Sequence, residues 1–270
     1  MTNFGEGQIA AELEGVEPNE RLKAIYSRVV EKMKEVVREF AIDQDELHAA
    51  GDYFNRLGQA GFCRSLIDVA LAMTSVDVTA RVEGATRPNL EGPFHKDTAP
   101  FRPDGNLFDA PPPAGSPVLV LEGVVTDVAT GKPVAGAELD FWQADHDGHY
   151  DRAGHHLSGV VRSDDQGRYS IRTAVPKDYS DHDHDPIGEL FRAMGRHNRR
   201  AGHIHLMVRA GGRQRLITQL FIPGNPYLGS DYVEEAVSED LILDMKPIEG
   251  KANEYHAVFD LVIAVGGESA

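Results

Sequence analysis

Two tyrosines and a closely spaced histidine pair are the side chains of this sequence that could together bind a metal ion. His203 and His205 are two residues apart, and residues with that spacing point to the same face of a strand. Both imidazoles could therefore reach one ion. Tyr150 and Tyr179 precede the pair along the chain and add two phenol oxygens as possible ligands.

The ligand types indicate which metal such a site would prefer. Zinc sites are usually built from cysteine and histidine, but Cys63 is the only cysteine and no His-x-x-x-His segment accompanies the pair. A phenolate is a hard anionic donor, and a bound cation of high charge lowers the phenol pKa enough to ionise it. Two phenolates with two imidazoles therefore suit ferric iron, and zinc is the less favoured alternative.

Each of these residues also has an interpretation without chemistry. A tyrosine beside a turn more often packs its ring and hydrogen-bonds its hydroxyl than binds a metal. A histidine on a strand can be an ordinary buried polar group. The turn segments 131–137 and 165–169 are also typical of non-catalytic β-sandwich binding modules. A binding module is therefore the alternative to an enzyme.

The four candidate ligands stand among motifs in an order that resembles one known family, the intradiol ring-cleaving catechol dioxygenases. The resemblance runs from about Gly84 to about Leu243, with weaker similarity in the N-terminal region. The motifs are Gly84-Ala85-Thr86, Gly92-Pro93-Phe94, Asp140-Phe141-Trp142-Gln143-Ala144-Asp145, Gly148-His149-Tyr150-Asp151, Gly195-Arg196-His197, His203-Ile204-His205, Thr218-Gln219-Leu220-Phe221 and Pro226-Tyr227.

The resemblance implies an Fe(III)-dependent enzyme that cleaves an aromatic diol with O2 to a muconate-type product. It implies Tyr150 and His203 as equatorial ligands and Tyr179 and His205 as axial ligands of non-haem iron, with Tyr179 also accepting a proton. It further implies that a guanidinium stabilises charge on the substrate ring and that an amide hydrogen-bonds near the iron. These two catalytic groups are Arg200 and Gln219.

The resemblance also implies where a substrate would bind. Gly92, Pro93 and Phe94 match the family's cavity lining, and an aromatic ring suits stacking on a planar diol. Asp68 matches an acidic pocket residue of hydroxyquinol-cleaving members, although it could equally be an exposed helix carboxylate. Together with segment 225–231, this favours hydroxyquinol, with catechol close behind. A protocatechuate-type enzyme is less favoured because those enzymes lack this helical N-terminus.

Composition limits the partners and the compartment. The 270-residue chain carries a formal net charge of −16, which disfavours nucleic acid and anionic membranes as partners. A single cysteine allows no internal disulfide, and residues 1–6 show no secretory leader. No apolar segment is long enough to span a bilayer. These features predict a cytoplasmic protein.

Apolar periodicity predicts three N-terminal helices: Asn19–Ile42, Gln44–Gln59 and Phe62–Val76. The apolar stripe of the first helix could be simple core packing. The family resemblance instead favours a homodimer that pairs through these helices. We therefore expect a helical dimerisation region over residues 1–83 and a catalytic domain over residues 84–270.

The second region is predicted to be an antiparallel β-sandwich, so the fold class is mainly β with α. A proline-rich connector leads into it at Pro111-Pro112-Pro113. The Asp181–Asp185 run of alternating aspartate and histidine departs from the family's pattern and is expected to be a solvated loop. The strands are predicted at 118–125, 137–143, 160–162, 169–172, 204–209, 215–222 and 257–265.

Overall fold

The computed structural model describes residues 17–266. The predicted absence of a secretory leader falls on residues 1–6, which lie outside the described residues. The chain divides into two compact units, Met1–Arg56 and Leu57–Ala270. The predicted boundary between residues 83 and 84 stays a prediction. Among the described helices, none is long and apolar enough to cross a membrane.

The three N-terminal helices form where the periodicity predicts them. They are α1 (Glu20–Phe40), α2 (Gln44–Gln59) and α3 (Cys63–Thr79). Asn19 caps α1, because its side-chain oxygen accepts a hydrogen bond from the Leu22 N–H at 2.9 Å. The apolar residues of α1 are exposed along one stripe, from Leu22 (61%) to Phe40 (69%).

The remainder of the chain forms two β-sheets and one more helix. The strands are β1 (Val118–Asp127), β2 (Glu138–Gln143), β3 (Ser158–Arg162), β4 (Arg168–Ala174), β5 (His203–Ala210), β6 (Arg213–Phe221), β7 (Lys246–Pro247), β8 (Glu254–Val258) and β9 (Leu261–Ile263). A short helix, α4 (Pro186–Ala193), precedes β5.

The two sheets confirm the predicted sandwich. One sheet has the strand order β4-β1-β8-β7, and β9 also pairs with β1. The other sheet has the order β3-β2-β5-β6. The rings of Phe141 on β2 and Tyr169 on β4 lie 6.0 Å apart between the two sheets. The second sheet is antiparallel throughout, whereas β8 and β9 pair with β1 in parallel. The first sheet is therefore mixed.

The predicted strand over 257–265 is replaced by two short strands, β8 and β9. They are separated at Phe259, whose carbonyl accepts a hydrogen bond from the Tyr169 hydroxyl at 2.7 Å. Asp260 then accepts a hydrogen bond from the Val124 N–H at 2.9 Å. These long-range contacts divide a segment whose composition predicts one strand.

The Asp181–Asp185 run is only partly solvated, so the expectation of a solvated loop is wrong for two of its members. The side chains of His182 and Asp185 are 11% and 13% exposed, and they form a 2.6 Å contact. Asp185 also caps α4 by accepting hydrogen bonds from the N–H groups of Ile187 and Gly188. This run therefore anchors the helix that leads towards β5.

Candidate active site

The central strands of the second sheet place the histidine pair. His203 and His205 lie at the start of β5, and each is 1% exposed. In the register of the sheet, Trp142 on β2 and Gln219 on β6 flank His205 on either side. The Trp142 indole stacks on the His205 imidazole with centroids 4.8 Å apart and planes 7° apart. Strand pairing thus fixes both the position and the tilt of the His205 ring.

The two candidate tyrosine ligands come from loops that approach the same end of β5. Tyr150 lies in the loop between β2 and β3, and Tyr179 lies between β4 and α4. Tyr179 and Arg200 exchange backbone hydrogen bonds of 3.3 and 2.9 Å in an isolated antiparallel bridge. This bridge holds Tyr179 against the segment that leads into the histidine pair.

Gly148 allows the two tyrosine loops to approach each other. Its φ of +88° is left-handed, and a Cβ at this position would lie 2.7 Å from the Asp178 carbonyl oxygen and 3.2 Å from the Cβ of Tyr179. Only glycine avoids both the strain and the overlap. The glycine two residues before Tyr150 is therefore required by the neighbouring loop, not by the turn alone.

The structure brings the four predicted ligands together. The ring centroids of Tyr150 and Tyr179 are 5.3 Å apart, and those of His203 and His205 are 4.7 Å apart. The Tyr179 ring lies 5.8 Å from the His203 ring, and the Tyr150 ring lies 6.3 Å from the His205 ring. Phe94 stacks on Tyr150 at 4.2 Å and so borders the same space.

The histidine nitrogens converge as two ligands of one ion would. The Nε2 atoms of His203 and His205 are 3.1 Å apart. Two adjacent nitrogen ligands at about 2.1 Å from one ion would be separated by about 3 Å. The His203 Nδ1 lies 2.6 Å from the Ala201 carbonyl oxygen, which can only accept a hydrogen bond. Its Nε2 therefore carries the free lone pair.

The tyrosine hydroxyls complete a donor set that fits a hard, highly charged cation. Among residues 17–266, the buried Tyr150 hydroxyl has no hydrogen-bond partner of ordinary geometry, and neither has the His205 Nδ1. No three His, Cys, Asp or Glu side chains in this part of the chain are grouped to hold a metal ion. A metal bound at the histidine pair would therefore need the phenol oxygens as ligands.

When no metal is bound, burial determines the protonation states of the two tyrosines and the two histidines. It raises the pKa of the Tyr150 phenol well above its usual value, and the nearby Tyr179 raises it further. Burial also raises the pKa of Tyr179, although the Arg200 guanidinium opposes this shift. Burial, followed by nearby positive groups, lowers the pKa of both histidines, so both stay neutral. Only a strong cation would ionise the phenols here.

The two predicted catalytic side chains lie beside this cluster. The Arg200 Nη1 is 3.4 Å from the His203 Nε2, and its Nη2 donates to the Gln219 Oε1 at 2.8 Å. Gln219 in turn donates to the Leu90 carbonyl oxygen at 2.9 Å. A guanidinium and an amide are thus fixed next to the donor set, as an electrostatically preorganised site requires.

The predicted pocket residues divide into those near the cluster and one on a helix. Gly92 has a φ of +74° beside the His205 ring, and Phe94 stacks on Tyr150. Pro93 lies between them in the chain. Asp68 lies on α3, where its carboxylate is 3.5 Å from Arg64 and its side chain is 43% exposed. Its role toward substrate stays a prediction.

Several residues around the cluster were not assigned a role from the sequence. Trp142 packs against His205, and behind it His95 contacts Trp142 at 4.6 Å and Asp140 at 2.9 Å. Asp231 accepts a hydrogen bond from Arg200 at 3.2 Å. Trp142 and Asp140 stand inside a quoted motif and Asp231 ends segment 225–231, but no local signal separates a supporting residue from an ordinary core residue.

We predict that Gly92→Ala weakens metal binding, an effect that the backbone strain of the substitution does not by itself explain. A Cβ on Gly92 would lie 3.2 Å from the His205 Cε1, so the ring would have to shift. Left-handed strain alone costs about 1–2 kcal/mol. Gly250→Ala is the matched control, because Gly250 has a φ of +77° and a Cβ there would meet nothing within 4 Å.

Thermal unfolding and metal content of both variants check this prediction. Both should lose stability, and Gly92→Ala alone should lose bound metal. Equal metal contents in the two variants would show that the His205 ring tolerates the extra carbon.

The chain matches known proteins along most of its length. Residues 90–265 match the family model described as Dioxygenase, and residues 19–79 match the model described as Catechol dioxygenase N terminus. The 6-chlorohydroxyquinol 1,2-dioxygenase of Cupriavidus pinatubonensis is 39% identical over 80% of this chain and 82% of that protein. The hydroxyquinol 1,2-dioxygenase of a Rhizobium species is 35% identical over 85% and 81%.

Solved structures give the same result for the fold. The hydroxyquinol 1,2-dioxygenase of Pseudomonas putida superposes with a TM-score of 0.81 at 29% identity, covering 95% of this chain and 96% of that one. The 3-chlorocatechol 1,2-dioxygenase of Rhodococcus opacus has a TM-score of 0.84 at 25% identity, covering 92% and 99%. On this evidence, the chain belongs to the family of intradiol ring-cleavage dioxygenases.

Proposed function

We propose that this protein uses Fe(III) and O2 to cleave an aromatic 1,2-diol between its two hydroxylated carbons, giving a cis,cis-muconate-type product. The observation that carries the proposal is the convergence of two phenols and two imidazoles beside a fixed guanidinium. Tyr150, Tyr179, His203 and His205 would hold the iron. The ferric ion, when bound, would supply the activation of the diol toward O2.

The protein side chains would bind, orient and shield the reacting diol. Phe94 would border the diol with its ring edge, because Tyr150 stacks on the ring at 4.2 Å and the Arg152 guanidinium carbon lies 5.0 Å from its centroid. The Arg200 guanidinium would stabilise negative charge that develops on the ring carbons. Tyr179, ionised by the bound iron, would accept a proton at its phenol oxygen, because burial raises the pKa of this phenol although Arg200 opposes the shift. Gln219 keeps Arg200 in position.

Hydroxyquinol is the preferred substrate of the proposal, and catechol is the second. The two relatives described above, at 39% and 35% identity, carry hydroxyquinol-type names, whereas a catechol 1,2-dioxygenase of Acinetobacter baylyi is 31% identical. A protocatechuate-type substrate is disfavoured because residues 19–79 match the catechol dioxygenase N terminus. The family match also disfavours a non-catalytic binding module.

A homodimer through the N-terminal helices is also part of the proposal. The apolar stripe of α1 supports it, because Leu22, Met33 and Phe40 are each at least 60% exposed in the single chain. Contiguous exposed apolar surface of this kind is typical of protein–protein contacts. O2 and a small aromatic diol are the other proposed partners.

Oxygen uptake by the purified, iron-loaded protein tests the proposal. Hydroxyquinol, catechol and protocatechuate are compared, and iron content and visible absorption are recorded on the same sample. We expect one visible band from tyrosinate bound to ferric iron and fastest uptake with hydroxyquinol. A colourless iron-loaded protein, or no uptake with any diol, would contradict the proposed function.

We further predict that Tyr179→Phe loses most of the oxygen uptake, because the variant lacks both a ligand and a proton acceptor. Tyr255→Phe is the control, since Tyr255 lies on β8 in the other sheet. Stopped-flow oxygen uptake at equal iron loading measures the effect. Full activity in Tyr179→Phe would remove this residue from the site.

A further inference from the structure

Asp231 is a buried carboxylate whose hydrogen bonds are directed at the active-site arginine and its neighbour. Its side chain is 3% exposed. Oδ1 accepts a hydrogen bond from the Arg200 Nε at 3.2 Å and one from the Val233 N–H at 2.9 Å. Oδ2 accepts one from the Ala201 N–H at 2.7 Å. Both oxygens are therefore engaged, and the carboxylate cannot rotate freely.

The guanidinium of Arg200 is held on two of its three nitrogens. Asp231 binds Nε, and Gln219 binds Nη2 at 2.8 Å. The third nitrogen, Nη1, faces the His203 Nε2 at 3.4 Å. A planar guanidinium fixed at two corners has one orientation, so its free edge is directed at the proposed metal and substrate.

Asp231 also holds the backbone that leads to the histidine pair. Asp231 accepts a hydrogen bond from the Ala201 N–H. The Ala201 carbonyl in turn accepts a hydrogen bond from the His203 Nδ1 at 2.6 Å. One carboxylate therefore contacts both the Arg200 side chain and the residue that orients the His203 ring. Asp231 supplies the negative charge that offsets the buried guanidinium, whose pKa it raises.

We infer that Asp231 is a positioning residue for the ring-cleavage reaction and acts through Arg200. The expected effect on kcat rests on the proposed function, whereas the geometry of the Asp231–Arg200 pair does not depend on that function. Without the carboxylate, the guanidinium would lose its fixed direction and the transition state would lose a preorganised charge. A carboxamide of the same shape cannot accept hydrogen bonds on both arms.

The kinetic test compares Asp231→Asn with Asp244→Asn, whose parent carboxylate is 78% exposed. We expect Asp231→Asn to lower kcat by roughly 10- to 100-fold at equal iron content, with a smaller change in KM. Asp244→Asn should match the wild type. In an Arg200→Gln background, Asp231→Asn should change kcat by no more than about twofold at equal iron content, because the guanidinium it positions is absent and equal iron content controls for its contact with Ala201 and His203.

A second loss in that background equal to the first would overturn the inference, since it would show that Asp231 acts independently of Arg200. If Asp231→Asn does not fold, Asp231→Glu replaces it in both the wild-type and the Arg200→Gln backgrounds. This variant keeps the negative charge and moves it by one methylene. We expect Asp231→Glu to lower kcat at least about fivefold in the wild-type background only.

An NMR measurement separates this inference from the proposed function. In metal-free, nitrogen-15-labelled protein, the Arg200 Nε–H signal is identified by its loss in Arg200→Gln. We expect its hydrogen exchange to accelerate at least about tenfold in Asp231→Asn and to be unchanged in Asp244→Asn. Unchanged exchange in Asp231→Asn would overturn the inference. Absence of ring cleavage in the wild type would count against the proposed function alone.

Discussion

A Tyr150→Phe protein is expected to lose its iron and essentially all ring-cleaving activity, while its metal-free form unfolds at no lower temperature than the wild type. In the metal-free protein the Tyr150 hydroxyl is buried and interacts with Tyr179, but among the described residues it has no hydrogen-bond partner of ordinary geometry. A buried hydroxyl with poor hydrogen-bond geometry recovers little of a desolvation cost of about 1–3 kcal/mol, so removing it does not lower the stability of the metal-free fold. The same oxygen is a proposed ligand, and a lost ligand contribution of several kcal/mol corresponds to a roughly thousandfold effect.

Iron content, the visible absorption band and thermal unfolding of the chelator-treated protein measure the two opposite effects. Tyr255→Phe again controls for the loss of a phenol hydroxyl outside the site. Two results would contradict the prediction. Full iron content in Tyr150→Phe would remove Tyr150 from the donor set, and a clear fall in metal-free stability would show that the hydroxyl supports the fold.

Arg200→Gln is expected to lower kcat by about 100- to 1000-fold while the protein keeps its iron. Removing one preorganised donor from a site where charge develops typically has an effect of this size. Glutamine can still accept or donate a hydrogen bond towards Asp231 and Gln219, but it carries no positive charge. The loss should therefore be in the chemical step and not in metal binding.

Single-turnover oxygen consumption, with iron content measured on the same samples, checks this expectation. Arg213→Gln is the matched control, because Arg213 lies in the exposed part of β6. If Arg200→Gln loses iron in proportion to activity, the guanidinium serves to hold the metal site together. In that case its role is structural, and the proposed charge stabilisation is wrong.

The helices and most strands could be predicted because their signals are local. The apolar spacing of α1 lies within the helix itself, so the observed bounds of α1 differ from its predicted bounds by about two residues or fewer. The parallel pairing of β8 and β9 with β1 could not be predicted in this way. It depends on residues more than 130 positions apart, such as Val118 and Glu254.

The sequence by itself determined the donor types of the candidate site, because the His-x-His spacing and the two tyrosines within their motifs are features of short segments. Only the tertiary structure decided which groups support them. Asp231 meets Arg200 across 31 positions of chain, and Trp142 stacks on a ring of the neighbouring strand. Such partners are selected by packing and hydrogen-bond geometry in three dimensions, which leave no periodic or spacing signal in the sequence.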